Sequence, residues 1–327
     1  MDIKNELQKR AEFFNHELEK FLKEEQPETL YKAARHLPLA GGKRLRPCIA
    51  MLSCESVKGD IINVIPLTIA LELIHNFTLV HDDMMDSSKL RRNKPTVHMK
   101  YGEPTAIIAG DLLFTKAFES MHHTTSECSI FKNVEFGLID CIKEICEGQQ
   151  LDMEFEQRKN VTENEYLEMI RKKTAVFFQY AAEAGGILGG GTREQTNALN
   201  QYGLSMGLGF QIWDDYLDLS SDEKKLGKDI GNDIRNGKKT LIAVHCLNNA
   251  KGEDKKNLDK IFGNQNATND EVKQVFNIFK KTGSVEYAKN TAIKHCEKAK
   301  NILTVLEDSE AKNILMCLAD YVIKREN

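Results

Sequence analysis

Proline, paired cysteines, long apolar runs and excess positive charge are all scarce in this chain. Only six prolines occur in 327 residues, too few to interrupt long helices often. Alternating polar and apolar residues are hard to find, which argues against a sheet-based fold. The eight cysteines, at positions 48, 54, 128, 141, 146, 246, 296 and 317, form no Cys-x-x-Cys pair and no Cys/His quartet at zinc spacing. Zinc-finger and dithiol redox functions are thereby excluded, and scattered buried thiols fit a reducing cytoplasm. No uninterrupted apolar run approaches the roughly 18 residues of a membrane span; the most apolar stretch, residues 63–80, contains Glu72 and His75. The charged, amphipathic opening Met1-Asp2-Ile3-Lys4-Asn5-Glu6-Leu7 is unlike a secretory signal. The expectation is a cytoplasmic chain that is not an integral membrane protein. Lys+Arg total 45 against 49 Asp+Glu, a net charge of −4. That balance excludes general nucleic-acid affinity but leaves room for a local basic pocket.

What is present is helical. With 41% hydrophobic and 29% charged residues the composition is globular, and apolar residues recur three and four apart over long segments. Ile69, Leu73, Phe77, Val80 and Met84 form one such stripe. Thr162-Glu163-Asn164-Glu165 is a capping-box pattern that opens a helix to about Ala184, ended by Gly185, Gly186, Gly189, Gly190 and Gly191. Thr192-Arg193-Glu194-Gln195 opens the next, to about Leu219. Residues 220–239 read as a charged, glycine-containing loop and 248–270 as a polar surface excursion. No domain-boundary linker is visible, so residues 1–327 read as one large all-α domain.

Two motifs carry the chemistry. Asp82-Asp83-Met84-Met85-Asp86 and Asp214-Asp215-Tyr216-Leu217-Asp218 share the pattern D-D-x-x-D. With 19 aspartates in the chain, chance placement of two such motifs falls well under about 1%. On a helix, positions i, i+1 and i+4 fall within an arc of about 100°, so each motif presents three carboxylates to one side. Burying three like charges is very costly unless cations neutralise them. Oxygen-only ligands suit Mg²⁺, which takes few carboxylates and completes its shell with water and substrate phosphates. His75 precedes Asp82 by seven residues and Asp86 by eleven; Gln211 precedes Asp214 by three and Asp218 by seven. Each therefore shares its motif's face.

Basic groups recur beside these carboxylates. Gly41-Gly42-Lys43-Arg44-Leu45-Arg46-Pro47 sets three cations on a glycine turn, where the backbone can approach closely and arginine forks match phosphate oxygens. Asp86 is followed by a polar loop with Lys89, Arg91, Arg92 and Lys94. The second motif is followed by Gly227-Lys228-Asp229 and Gly237-Lys238-Lys239-Thr240. Such a constellation describes a diphosphate site; two diphosphates bring about six negative charges, which about three Mg²⁺ would balance.

On these residues, together with Lys173-Thr174 and Gln211, the chain closely resembles the trans-isoprenyl diphosphate synthases, or polyprenyl synthetases. The matching pieces run in the family's order over residues 40–240. The form of the first motif resembles archaeal short-chain enzymes. The resemblance implies an antiparallel helix bundle around a central cavity, usually a homodimer. It implies head-to-tail (1′-4) condensation of isopentenyl diphosphate with an allylic diphosphate. By the same resemblance Lys43, Arg46, His75 and Arg92 hold isopentenyl diphosphate, and Arg91, Lys173, Lys228 and Lys238 contact the allylic diphosphate. Asp82, Asp86 and Asp214 are direct Mg²⁺ ligands. Asp83, Asp215 and Asp218 act through water or orient ligands, and Thr174 and Gln211 face the reacting carbons.

Phe77, five residues before Asp82, lies about 7–8 Å deeper along the helix and can floor the prenyl channel, whereas its small neighbour Thr78 cannot. One large residue beside a small one resembles the archaeal geranylgeranyl synthases, so the expected product is mainly C20 with some C15. The competing readings are a core role for Phe77 and, for the whole chain, a terpene cyclase, a catalytically silent synthase subunit, or a His-Asp phosphohydrolase suggested by His81-Asp82. The phosphohydrolase lacks the further histidines it needs.

Overall fold

The computed structural model describes residues 2–224 and 231–324. Helices joined by short turns make up nearly all of it, as the helical spacing requires. Among the described residues the only strands are Leu90–Arg91 and Lys94–Pro95, a two-rung antiparallel hairpin inside the basic loop. Arg92 and Asn93 form its two-residue turn, both with positive φ (53° and 59°), as a type I′ turn demands.

The local signals around residue 162 hold. The Glu165 backbone nitrogen donates to Thr162 Oγ1 at 3.3 Å, and its carboxylate accepts from the Thr162 nitrogen at 2.8 Å. The helix Glu163–Ile170 continues through a π-turn at Arg171–Ala175 into Val176–Leu188. Gly185 and Gly186 lie inside that helix, so termination falls to residues 189–191. Thr192 and Gln195 cap the next helix reciprocally. That helix, Arg193–Lys224, runs past Leu219 into the expected loop, which also contains a short helix, Asn232–Asn236. The expected excursion at 248–270 contains the helix Gly252–Ile261, which buries Leu258 and Ile261 three apart.

Two compact units are distinguishable. The first comprises residues 1–139, 180–200 and 305–315. Its centre is the helix Ile65–Met85, packed against Glu103–Met121, Leu45–Ser56 and Ile3–Phe21. By mean hydropathy, residues Ile61–Met85 are long and apolar enough to cross a membrane. Glu72 and His75 nonetheless interrupt the run, as the sequence reading had it. Its most apolar 18-residue window is 56% buried within the protein, and the stretch carries Thr68, Glu72 and Asn76 fully inside, which is the character of a core helix. The expected stripe is only partly submerged: Ile69, Leu73 and Val80 are buried, while Phe77 and Met84 are half-buried.

The second unit comprises residues 140–179, 201–304 and 316–327. Its core gathers Tyr166, Ile212, Trp213, Leu241, Val244 and Val272. The helix Leu241–Asn249 packs there on Ser284–Ile302 and on the capped helix Glu163–Ile170.

Candidate functional site

In the first unit the aspartate motif closes the Ile65–Met85 helix, with Asp86 as its C-cap. Asp82 is half-buried, Asp86 exposed and Asp83 buried. Arg91 donates from Nε to Asp83 Oδ1 at 2.7 Å, and Asp83 Oδ2 is buried with no hydrogen-bond partner. Burial raises the Asp83 carboxyl above its ordinary range, with Arg91 pulling the other way. The expected role of Arg91 on substrate is therefore shared with a structural one, fastening the motif's middle carboxylate.

The glycine turn and the hairpin meet here. Arg92 donates to the carbonyls of Gly41 and, at 3.2 Å, Leu37. A side chain on Gly42 would place Cβ 3.0 Å from the Arg92 guanidinium carbon, and Gly42 has φ +140°. The close approach granted by the glycine is thus taken up by Arg92. Lys43 is exposed on the turn and Arg46 half-buried at the start of the next helix. Arg44 departs from the reading that set three cations together. It turns inward, donating to Glu72 and the Pro38 carbonyl and, at 2.9 Å, to Asn15. Its left-handed backbone (φ +48°) serves that inward aim.

His75 is half-buried beside these cations. Burial first, then the charges of Arg46, Arg92, Arg91 and Arg44, push its pKa well below the usual histidine value. A neutral imidazole amid arginines contributes a hydrogen-bonding group without further charge. Phe77 stacks edge-on to His81 (4.9 Å) and Phe114 (5.4 Å), and Phe114 continues to Phe118 (5.2 Å). The Thr78 hydroxyl bonds back to the His75 carbonyl at 2.8 Å.

The second unit repeats the motif's burial pattern. Asp214 is half-buried, Asp215 buried and Asp218 exposed. Asp215 accepts from Tyr166 Oη at 2.8 Å and Gln211 Nε2 at 3.0 Å, and Gln211 Oε1 accepts from Thr174 Oγ1 at 2.8 Å. This relay joins three helical segments. Burial lifts the Asp215 carboxyl to about 6, against the pull of Lys238, Tyr166 and Gln211. Lys173 and Thr174 sit in the π-turn, a feature common at functional sites. The neighbouring helix approaches there at Gly148, where a Cβ would lie 2.2 Å from the Lys173 nitrogen.

Lys173 donates to Asp152. Burial alone would lower the Lys238 pKa, but Asp233, Asp215, Asp152 and Asp218 outweigh it and raise the value. The sequence reading missed Asp152 and Tyr166. Their signal was weak: a lone acid and a lone phenol in otherwise ordinary helices. Lys228 lies outside the described residues.

In each motif the middle carboxylate is tied to protein groups. The first and third stand one helical turn apart and more accessible. Among the described residues, no three acidic, histidine or cysteine side chains converge into a ready-made metal cage. An oxygen-only donor set of this kind fits Mg²⁺, which keeps waters and substrate phosphates in its shell.

Residues 27–279 match the polyprenyl synthetase family model. Over their full lengths, the chain is 44% identical to a short chain isoprenyl diphosphate synthase of Methanothermobacter thermautotrophicus. It is also 44% identical to a geranylgeranyl diphosphate synthase of Methanosarcina mazei, covering 100% of this chain and 99% of that one. The structure of a geranylgeranyl pyrophosphate synthetase from Pyrococcus horikoshii superposes with a TM-score of 0.94 at 43% identity, covering 99% of each chain. With both aspartate motifs in place on an all-helical scaffold, the chain belongs to the polyprenyl synthetase family.

Proposed function

We propose that the chain is a trans-prenyltransferase. It condenses isopentenyl diphosphate head-to-tail with an allylic diphosphate, giving mainly geranylgeranyl diphosphate (C20) with some farnesyl diphosphate (C15). The observation that carries this is the paired motif: two helical D-D-x-x-D segments, the first closing its helix and the second inside Arg193–Lys224, with the same inward middle carboxylate, each flanked by cations. Asp82, Asp86 and Asp214 would hold Mg²⁺ directly and Asp218 through water, three ions per site; when bound, Mg²⁺ supplies Lewis-acid stabilisation of the leaving diphosphate. Arg46, Lys43, Arg92 and neutral His75 hold isopentenyl diphosphate and aim its double bond. Lys173, Lys228, Lys238 and the outer nitrogens of Arg91 hold the allylic diphosphate. When its carbon–oxygen bond breaks, these cations stabilise the departing anion. The double bond attacks the allylic cation, and a proton then leaves to the diphosphate. Thr174 and Gln211, already locked together, offer neutral dipoles beside the reacting carbons. No protein nucleophile is required.

The whole chain is read as one isoprenoid synthase domain acting as a cytoplasmic homodimer. Exposed Ile107, Ile108, Phe136 and Ile139 in the first unit supply apolar surface of the kind a second copy covers.

Incubation with Mg²⁺ and labelled isopentenyl diphosphate, with and without allylic primer, tests the reaction. A synthase makes longer diphosphates only with both; release of diphosphate or phosphate from one substrate alone contradicts it. Within the pocket, Arg46→Ala is expected to weaken isopentenyl diphosphate and Lys228→Ala the allylic substrate, each by about 1.5–3 kcal/mol. Equal effects on both Michaelis constants would contradict that division.

Product length rests on Phe77. Its ring, leaning on His81 and Phe114, is braced from the side as a floor must be. Phe77→Ser is expected to shift products beyond C20 by chromatography. An active mutant with unchanged products places the stop elsewhere.

A further inference from the structure

Lys238 and Lys239 are adjacent yet divided in their surroundings. Lys239 is buried, donates to the Gly237 carbonyl at 2.7 Å and lies 5.1 Å over the Phe262 ring. Lys238 is only half-buried. Its backbone nitrogen is fixed to the Asp233 carbonyl at 2.9 Å, and its ammonium lies 3.9 Å from Asp233 Oδ2. It lines one small cavity with Asp215, Asp233 and Thr240, and the carboxylates of Asp152 and Asp218 also act on it. One end of this lysine is therefore anchored, while its charge faces a group of carboxylates whose mutual repulsion needs an opposing charge. A four-carbon stem lets such a charge swing between partners, which a rigid guanidinium does less readily.

We propose that Lys238 is the internal counter-ion of the second aspartate cluster. Its ammonium neutralises Asp215, Asp218 and Asp233 while no divalent cation is there, and turns to a diphosphate oxygen when cation and anion arrive together. The inference rests on reading the second motif as a cation site. Its consequence is coupling: the cation alone must compete with the ammonium, whereas diphosphate draws the ammonium away and so tightens the cation, and by reciprocity the cation tightens diphosphate.

The test uses Mn²⁺ as the spectroscopic probe on the full chain, with free Mn²⁺ read by electron paramagnetic resonance, without and then with inorganic diphosphate. Asp214→Asn identifies the Mn²⁺ held by the second motif. Lys238→Met is expected to bind that Mn²⁺ at least about tenfold more tightly without diphosphate, from the loss of an ammonium a few ångströms away, and to gain less from added diphosphate. Lys238→Arg, which keeps the charge, is expected to stay within about threefold of the wild type without diphosphate. Should Lys238→Met fail to fold, Lys238→Gln carries the same comparison. Equal or weaker Mn²⁺ binding by the neutral variant, where Asp214→Asn does remove an ion, overturns the counter-ion role and leaves the cation site standing. If Asp214→Asn removes no Mn²⁺, the reading of the second motif falls and the counter-ion role with it.

Discussion

Asp82→Asn and Asp214→Asn are each expected to lower kcat by at least about 10³, because each removes a ligand that neutralises the leaving diphosphate. The two aspartates occupy equivalent places, half-buried first positions of motifs whose middle members are already committed to protein partners. An amide is isosteric but cannot supply the charge a divalent cation requires. Folding is expected to survive, since taking one charge from a cluster relieves repulsion, and circular dichroism checks this. The middle positions behave differently. Asp83→Asn loosens Arg91, so the damage spreads to the hairpin turn and to Arg92. Steady-state turnover at saturating Mg²⁺ decides the matter: near-normal rates in either first-position variant would end the assignment of these carboxylates to the metal.

Local chemistry made part of this legible in the sequence. The capping pairs at Thr162 and Thr192 were readable because a cap and its partner lie three residues apart, whereas the Thr268–Glu271 capping box went unread at the edge of a stretch taken as a polar excursion. Both aspartate motifs were readable because one helical turn fixes their common face. Distant partners were not readable. Nothing near Arg44 in sequence announces that its partner is Glu72, 28 residues on, and a count of cations on a turn could not tell that one of three points inward. The Tyr166–Asp215 bond spans 49 residues and was invisible for the same reason. The helix past Leu219 was missed because charge was taken as loop character, although glutamate and lysine, as at Glu223 and Lys224, are good helix formers. The hairpin in the basic loop hid because its positive-φ turn is Arg-Asn, without the glycine that usually marks one.

The largest stability effect is expected at the buried Arg44–Glu72 pair. Their side chains are 1% and 3% exposed. Arg44 spends its donors on Glu72, Asn15 and the Pro38 carbonyl, and Glu72 also accepts from Asn76 at 2.9 Å. Phe14 lies 5.8 Å under the guanidinium, so the pair ties the first helix to the centre of its unit. Glu72→Ala leaves a permanent cation without its counter-charge in an apolar interior, a loss of about 3–5 kcal/mol. Arg44→Met strands the carboxylate at similar cost. Removing both is a different experiment. A well-packed Arg44→Met, Glu72→Leu double variant exchanges two desolvated charges for apolar contact and is expected to recover most of that loss. Denaturant unfolding of the wild type, the two singles and the double closes the cycle. If the double variant is as unstable as the sum of the singles, the pair is not coupled, and Arg44 holds the glycine turn through Asn15 and Pro38 alone. If it recovers stability but loses turnover, the pair's value lies in aiming the turn that carries Lys43 and Arg46, because Arg44 caps the helix on which Arg46 begins.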